Sequence, residues 1–149
     1  MNLELISVIV QAITAVAIFL AGWQLLYHSR AMHRDLEMAY VVRYWQLMDD
    51  RSPYFVLTRT PSPGDDVVIV RYLHLCEDEL ELRELGRVTD DTWRFWSSAM
   101  FDQVSVPAYR EMLEKSPEDV FFHLRQLIEI GPLYDPLRYG RVKRRLRGL

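Results

Sequence analysis

The sequence predicts an all-α protein, with a single N-terminal transmembrane helix followed by a small cytoplasmic helical bundle. Three observations predict it. Residues 5–27 read LISVIVQAITAVAIFLAGWQLLY, with no formal charge between Glu4 and Arg30. Beyond them apolar residues recur at helical spacing in blocks separated by Pro and Gly. Capping residues stand where the blocks begin. The chain divides into a transmembrane helix (1–29), a juxtamembrane helix continuous with it (30–50), a bundle (51–137) and a basic tail (138–149).

At 1.5 Å per residue the apolar stretch covers ~35 Å, enough for a hydrocarbon core of ~30 Å. Trp23 and Tyr27 stand near one end, where amphipathic rings prefer the headgroup level. A cleaved secretory signal needs a basic start and a shorter apolar run, and Met-Asn-Leu-Glu supplies neither. Arg30 and Arg34, with His28 and His33, follow the span, whereas only Glu4 precedes it. The basic flank places the N-terminus outside and the C-terminal domain in the cytoplasm. Ser7, Gln11, Thr14, Ala21 and Gly22 fall on one stripe of the span. Small and polar residues on one face allow helices to associate in lipid, which predicts a homo-oligomer. Gln11 is the sharpest of these signals, because a primary amide in hydrocarbon needs a partner.

Residues 28–50 contain no Gly or Pro, so one rod is expected from about residue 4 to 49. Its inner face is read from Met38, Val41, Val42, Trp45 and Met48. Pro53, Pro61, Pro63 and Gly64 mark a connection, whose middle, Tyr54 to Thr58, suits a short extended piece. Asp65 and Asp66 open the next helix, which buries Ile69, Tyr72, Leu73, Cys76 and Leu80 and ends at Gly86. Thr89 or Asp90 caps a helix carrying Trp93, Trp96 and Met100. Pro107 opens a short helix to about Lys115. Ser116-Pro-Glu-Asp predicts the start of a last helix holding Val120, Phe121, Leu124, Leu127 and Ile128, stopped by Gly131-Pro132.

Length and charge narrow the function. A chain of 149 residues suits one domain and an appendage. The single cysteine forbids a disulfide within the chain and suits a reducing cytoplasm. The last twelve residues carry six cations and no acid; taking that +6 from the overall −3 leaves −9 on residues 1–137. Such polarity implies a partner or a surface.

One region is similar to a known group. Leu75-Cys-Glu-Asp-Glu-Leu-Glu-Leu runs into Gly86-Arg-Val-Thr-Asp-Asp-Thr-Trp-Arg-Phe-Trp, then Met100 and Pro107-Ala-Tyr-Arg. This string, within Tyr72 to Leu127, resembles small bacterial membrane-anchored helical-domain proteins of unknown function. The resemblance covers the second half of the chain and its layout. It implies a bacterial origin and a helical fold, and no activity; with the span and its basic flank, the expected location is the bacterial inner membrane.

Candidate chemistry is sparse. His74, Glu77 and Asp78 share a helical face, as do Asp119 and His123, but the sequence has no Glu-x-x-His segment of the kind that builds metal sites in bundles. Cys76 on an inner face behaves as a small apolar residue. The glycines are scattered and form no phosphate loop. Glu77, Asp78, Glu81 and Glu84, with Glu79 among them, form an acidic face that is solvated or docks a basic segment. Trp93, Phe95, Trp96 and Phe101 read as core, with a pocket for a planar ligand as the minor alternative. The tail cations Arg138, Arg141, Lys143, Arg144, Arg145 and Arg147 suit anionic lipid, a phosphate-containing ligand, or the acidic helix. The expectation is a non-enzymatic binding, scaffold or signalling protein without a cofactor. Its partners are lipid, copies of itself, and a small phosphate ligand or another protein, with nucleic acid disfavoured. The alternative is a membrane sensor-effector in bacterial stress or phage defence, answering a phosphate-rich messenger.

Overall fold

In the computed structural model, which describes residues 3–147 and 149, helix makes up 76% of the described residues. No strand occurs among the described residues, so the chain is all-α. The helices are α1 (Leu3–Asp49), α2 (Pro53–Thr58), α3 (Asp65–Glu84), α4 (Asp90–Val104), α5 (Pro107–Lys115), α6 (Phe122–Ile130) and α7 (Arg141–Leu146).

α1 runs without a break for 47 residues. Its first half contains a segment long and apolar enough to cross a membrane, none of it buried against the rest of the chain. Only its distal half packs. The packed stripe differs from the expected one: Leu47 and Met48 are buried and Tyr40, Val41 and Tyr44 partly so, while Met38, Val42 and Trp45 face outward. The domain took the tyrosine face, because long amphipathic rings fill the space beside α3 and α4 while keeping their hydroxyls near polar groups.

α3 is the axis of the domain, touched by α1, α4, α5 and α6. Being walled on several sides, it buries Ile69, Leu73, Leu75, Cys76 and Leu80 almost completely. Burial pushes the Cys76 thiol well above its ordinary value, consistent with an unreactive core residue. α3 ends in a Schellman motif: the Gly86 N–H donates to the Arg83 carbonyl (3.0 Å) and the Arg87 N–H to the Leu82 carbonyl (2.8 Å). Gly86 sits at φ +68°, and a Cβ there would lie 2.9 Å from the Tyr139 ring. Glycine is required for both the turn and the close approach.

Three segments depart from sequence expectation, one being the tail, where Arg141–Leu146 adds helix α7 after the helix expected to be last. Residues 53–58 form helix α2 rather than an extended piece. Pro53 occupies a first-turn position, and the Ser52 hydroxyl accepts from the Phe55 N–H (3.1 Å). The Asp65 carboxylate fixes this turn by accepting from the Ser52 N–H (2.8 Å), the Ser52 hydroxyl (2.7 Å) and the Ser62 N–H (2.6 Å). The last predicted helix does not begin at Ser116. Its hydroxyl bonds back to the Met112 carbonyl (2.8 Å), and α6 starts only at Phe122, after Phe121 at φ +62°. A distant cap displaces the local one. Glu77 of α3 accepts from the His123 N–H (2.8 Å) and the Leu124 N–H (2.9 Å). Arg125 draws in the carbonyls of Leu113 (2.7 Å) and Ser116 (2.9 Å).

Replacing Gly86 by Ala should cost about 2 kcal/mol in thermal or urea unfolding, through the positive φ and the clash with Tyr139. Part of that loss should vanish in a Tyr139→Ala background. Strict additivity of the two substitutions would contradict the contact.

Candidate functional site

Two places concentrate polar chemistry: the C-terminal end of α3, where the tail docks, and a cavity between α1, α3 and α4. At the first, Arg83 is 1% exposed. It donates to both Asp135 oxygens (2.9 and 2.7 Å), to Asp90 (2.6 Å) and to the Val88 carbonyl (2.9 Å). Arg144 meets the same two carboxylates, at 3.0 Å from Asp90 and 3.2 Å from Asp135. Two cations thus balance two acids. Arg144 also donates to the carbonyls of Tyr139 (2.8 Å) and Leu137 (3.2 Å). Burial pushes the Asp135 carboxyl up, but the Arg83 hydrogen bond, the Leu137 N–H and both guanidinium charges outweigh it and hold it below the usual carboxylate range.

The rest of the tail sits close by. Lys143 and Arg147 lie over the Tyr139 ring, 4.1 and 4.7 Å from its centroid. Arg138 is exposed and 3.8 Å from Glu84. The Arg141 and Arg145 side chains lie outside the described residues. The Arg147 carbonyl accepts from the Ser29 hydroxyl (3.0 Å) and faces His33 Nε2 (3.2 Å). His33 Nδ1 faces the Arg87 carbonyl (2.7 Å). The C-terminal end therefore lies against α1 in the turns just after its apolar segment. Val142, Lys143, Leu146 and Arg147 remain exposed there, beside exposed Arg30 and Arg34.

The acidic face is divided in use. Glu77 caps α6, Asp78 pairs with Arg43 of α1 (3.3 Å), and Glu84 lies 3.5 Å from His123 Nε2. Glu81 is exposed. Glu37, which sequence patterning did not single out, binds the start of α4. It accepts from the Thr89 N–H (2.7 Å) and from the hydroxyls of Thr89 and Thr92 (both 2.8 Å). Among the described residues no group of three His, Cys, Asp or Glu side chains is placed to hold a metal. On the apolar segment, the Thr14 hydroxyl bonds back to the Val10 carbonyl (2.8 Å). Ser7, Gln11, Ala21 and Gly22 are exposed, and a Cβ at Gly22 would stand in open space.

The second place is a cavity of about 300 Å³, lined by Val41, Tyr44 and Trp45 of α1, Tyr72 and Glu79 of α3, and Phe95, Trp96, Ala99 and Met100 of α4. Trp93 and Trp96 are core, as expected, but Phe95 is 75% exposed and forms the cavity rim with Trp45. Position 95 lies on the outer side of α4, away from the face that meets α3. Glu79 is 7% exposed, and its carboxyl, unpaired among the described residues, keeps solvent contact through the cavity it lines. Burial first, then the neighbouring Asp78 charge, pushes it up to about 8, against a smaller opposing effect of Arg43. In the sequence it was one of five acids on a helix; only the fold separates it from its solvated neighbours.

No protein-family model, curated protein or solved structure matches the chain.

Removing one member of the buried cluster leaves the opposite charge uncompensated. Arg83→Met should destabilise the domain by about 3 kcal/mol, and the less buried Arg144→Met by about 1 kcal/mol. Because the Asp135 carboxyl is held low, its contribution is complete at neutral pH and fades as pH falls through its folded-state value. The melting-temperature gap between Asp135→Asn and wild type should accordingly be wide at pH 7 and narrow near pH 3. Glu79 behaves oppositely. Folding holds its proton up to about pH 8, against about 4.3 for a free glutamate, so its ionisation progressively destabilises the fold as pH rises between those values. Relative to wild type, Glu79→Gln should gain stability from pH 5 to pH 8.5, by on the order of 2 kcal/mol or more. A constant difference across that range would refute a buried, neutral Glu79.

Proposed function

We propose that the protein is a single-pass, membrane-anchored, non-enzymatic binding and signalling protein whose cytoplasmic helical bundle takes up a ligand or partner. The observation that carries this is α1 itself. One unbroken helix bears an apolar segment buried by nothing among the described residues and, at its other end, lends Val41, Tyr44 and Trp45 to the wall of a cavity. Leaving the large apolar residues of that segment in water forgoes about 1.5 kcal/mol or more for each. The total rivals the ~5–15 kcal/mol that holds a domain folded, so lipid is the natural cover. An event at the cavity reaches the span through continuous helical hydrogen bonds rather than a flexible linker.

We place the domain in the cytoplasm on the inner membrane of a bacterium, and several features support its seat against a lipid surface. The basic flank follows the apolar segment, and the tail docks beside Ser29 and His33 with Lys143 and Arg147 exposed. Cations at that level gain roughly 1 kcal/mol each from anionic lipid, and Val142 and Leu146 offer an apolar edge to the interface. The exposed stripe of Ser7, Gln11, Thr14, Ala21 and Gly22 supports self-association of spans. The Arg144 guanidinium is engaged by Asp90, Asp135 and two carbonyls, which leaves a phosphate messenger at the tail to its other cations.

In bacterial cells the full-length chain should stay in the membrane pellet through an alkaline carbonate wash, and protease should reach its C-terminal domain only after the membrane is opened. Release by carbonate would overturn the anchored reading. Substituting leucine at Gln11 and Thr14 together should shift detergent-solubilised protein toward smaller assemblies in native mass spectrometry. Unchanged assembly mass would remove the stripe from the reading.

A further inference from the structure

We propose that the cavity between α1, α3 and α4 binds a small organic cation, an alkyl- or quaternary ammonium group, with Glu79 as its counter-charge and Tyr44, Trp45, Tyr72, Phe95 and Trp96 as its aromatic walls. The proposal deepens the binding role given above and rests on it. Its volume of about 300 Å³ lies at the lower end for small-molecule sites, and five of its nine lining residues are aromatic. Aromatic faces carry negative charge density that attracts a cation, most strongly where water is excluded. Glu79 is 93% buried as a residue, and its carboxyl opens onto that cavity with no hydrogen-bond partner among the described residues, so its charge gains most from a cation placed there.

The alternatives fit less well. An anion finds no cation in the lining and faces the Glu79 carboxyl. A purely apolar ligand leaves the carboxyl unpartnered. An internal cation does not fill the role, because Arg43, the nearby positive charge, pairs with Asp78 at 3.3 Å. The groups facing Glu79 are Tyr40, Arg43 and Tyr44 from α1 and Tyr72, Cys76 and Asp78 from α3, whereas α4 contributes only Phe95, Trp96, Ala99 and Met100 to the cavity.

An ammonium group also heads some lipids, so its source must be considered. Tyr44 and Trp45 lie 17 and 18 residues beyond Tyr27, about 26 Å along the helix axis. That distance places the cavity well above a bilayer and favours a solute over a headgroup of the same membrane.

The empty site holds its proton to about pH 8, so a cation must displace that proton to pair with Glu79. Choline is a suitable probe because its own charge does not titrate. Its carbon isostere, 3,3-dimethylbutanol, tests shape without charge. Full-length protein in phosphatidylglycerol nanodiscs is titrated with each, with empty discs subtracted, while tryptophan fluorescence and calorimetric heat are followed. Choline should bind about tenfold more tightly at pH 9 than at pH 7, following the ionised fraction of Glu79. The isostere should bind more weakly and without pH dependence. Glu79→Gln should lose choline binding at pH 9 while keeping its fold. Trp45→Ala, at the exposed rim, should weaken choline several-fold without altering stability. Adding phosphatidylethanolamine to the discs should leave choline affinity unchanged, and a fall would assign the site to a headgroup. No choline binding at pH 9, or equal binding of the two probes, overturns the proposal. Either result leaves the carbonate test of the anchor untouched.

Discussion

The domain is closed by one buried guanidinium. Arg83 lies at the last turn of the central helix, where α3 ends, the chain turns into α4, and the C-terminal segment returns. Its donors take the Val88 carbonyl, Asp90 and Asp135, and so satisfy groups from three parts of the chain at once. A planar fork with five donors in fixed directions suits this task in a way a lysine does not. The cluster is electrically balanced only when Arg144 joins it. Burying Arg83 therefore commits the tail to a defined place, and that place carries the chain's end to the foot of α1.

The same logic recurs across the domain. Helix ends are satisfied by charged side chains from distant elements more than by their own neighbours. Glu37 holds the start of α4, Glu77 the start of α6, and Asp65 the turn before α2, while Arg125 gathers carbonyls around the end of α5. Each such contact is charge-assisted and partly shielded, hence stronger than an exposed ion pair. A domain of short helices gains from this arrangement, because helices of nine residues are marginal on their own. Glu79 is the exception among these acids. It is more deeply buried than Glu37 or Glu77, and its carboxyl caps no helix and opens onto the cavity instead.

The elements were largely legible in the sequence. The unbroken α1, the starts at Asp65 and Pro107, the Thr89 cap and the stop at Gly86 all follow from local rules whose partners lie within a few residues. The candidate site was not. Patterning grouped Glu77, Asp78, Glu79, Glu81 and Glu84 as one acidic face. The fold gives Glu77 to a helix cap, Asp78 to Arg43 and Glu79 to a cavity. Patterning likewise placed Arg144 among six equivalent tail cations, although its guanidinium is locked into the Arg83 cluster.

By itself, then, the sequence determined the helical class, most helix boundaries, and the segment apolar and long enough to cross a membrane. These depend on periodicity, backbone propensity and caps, all of them short-range. Tertiary structure decided which face of α1 packs, where α6 begins, which charges are buried, and where the tail ends. Those outcomes depend on pairings across tens of residues, and a charge's environment there is set by what other helices bring beside it. A stripe of acids is one pattern in the sequence and several different chemistries in the fold, because desolvation acts on position in space.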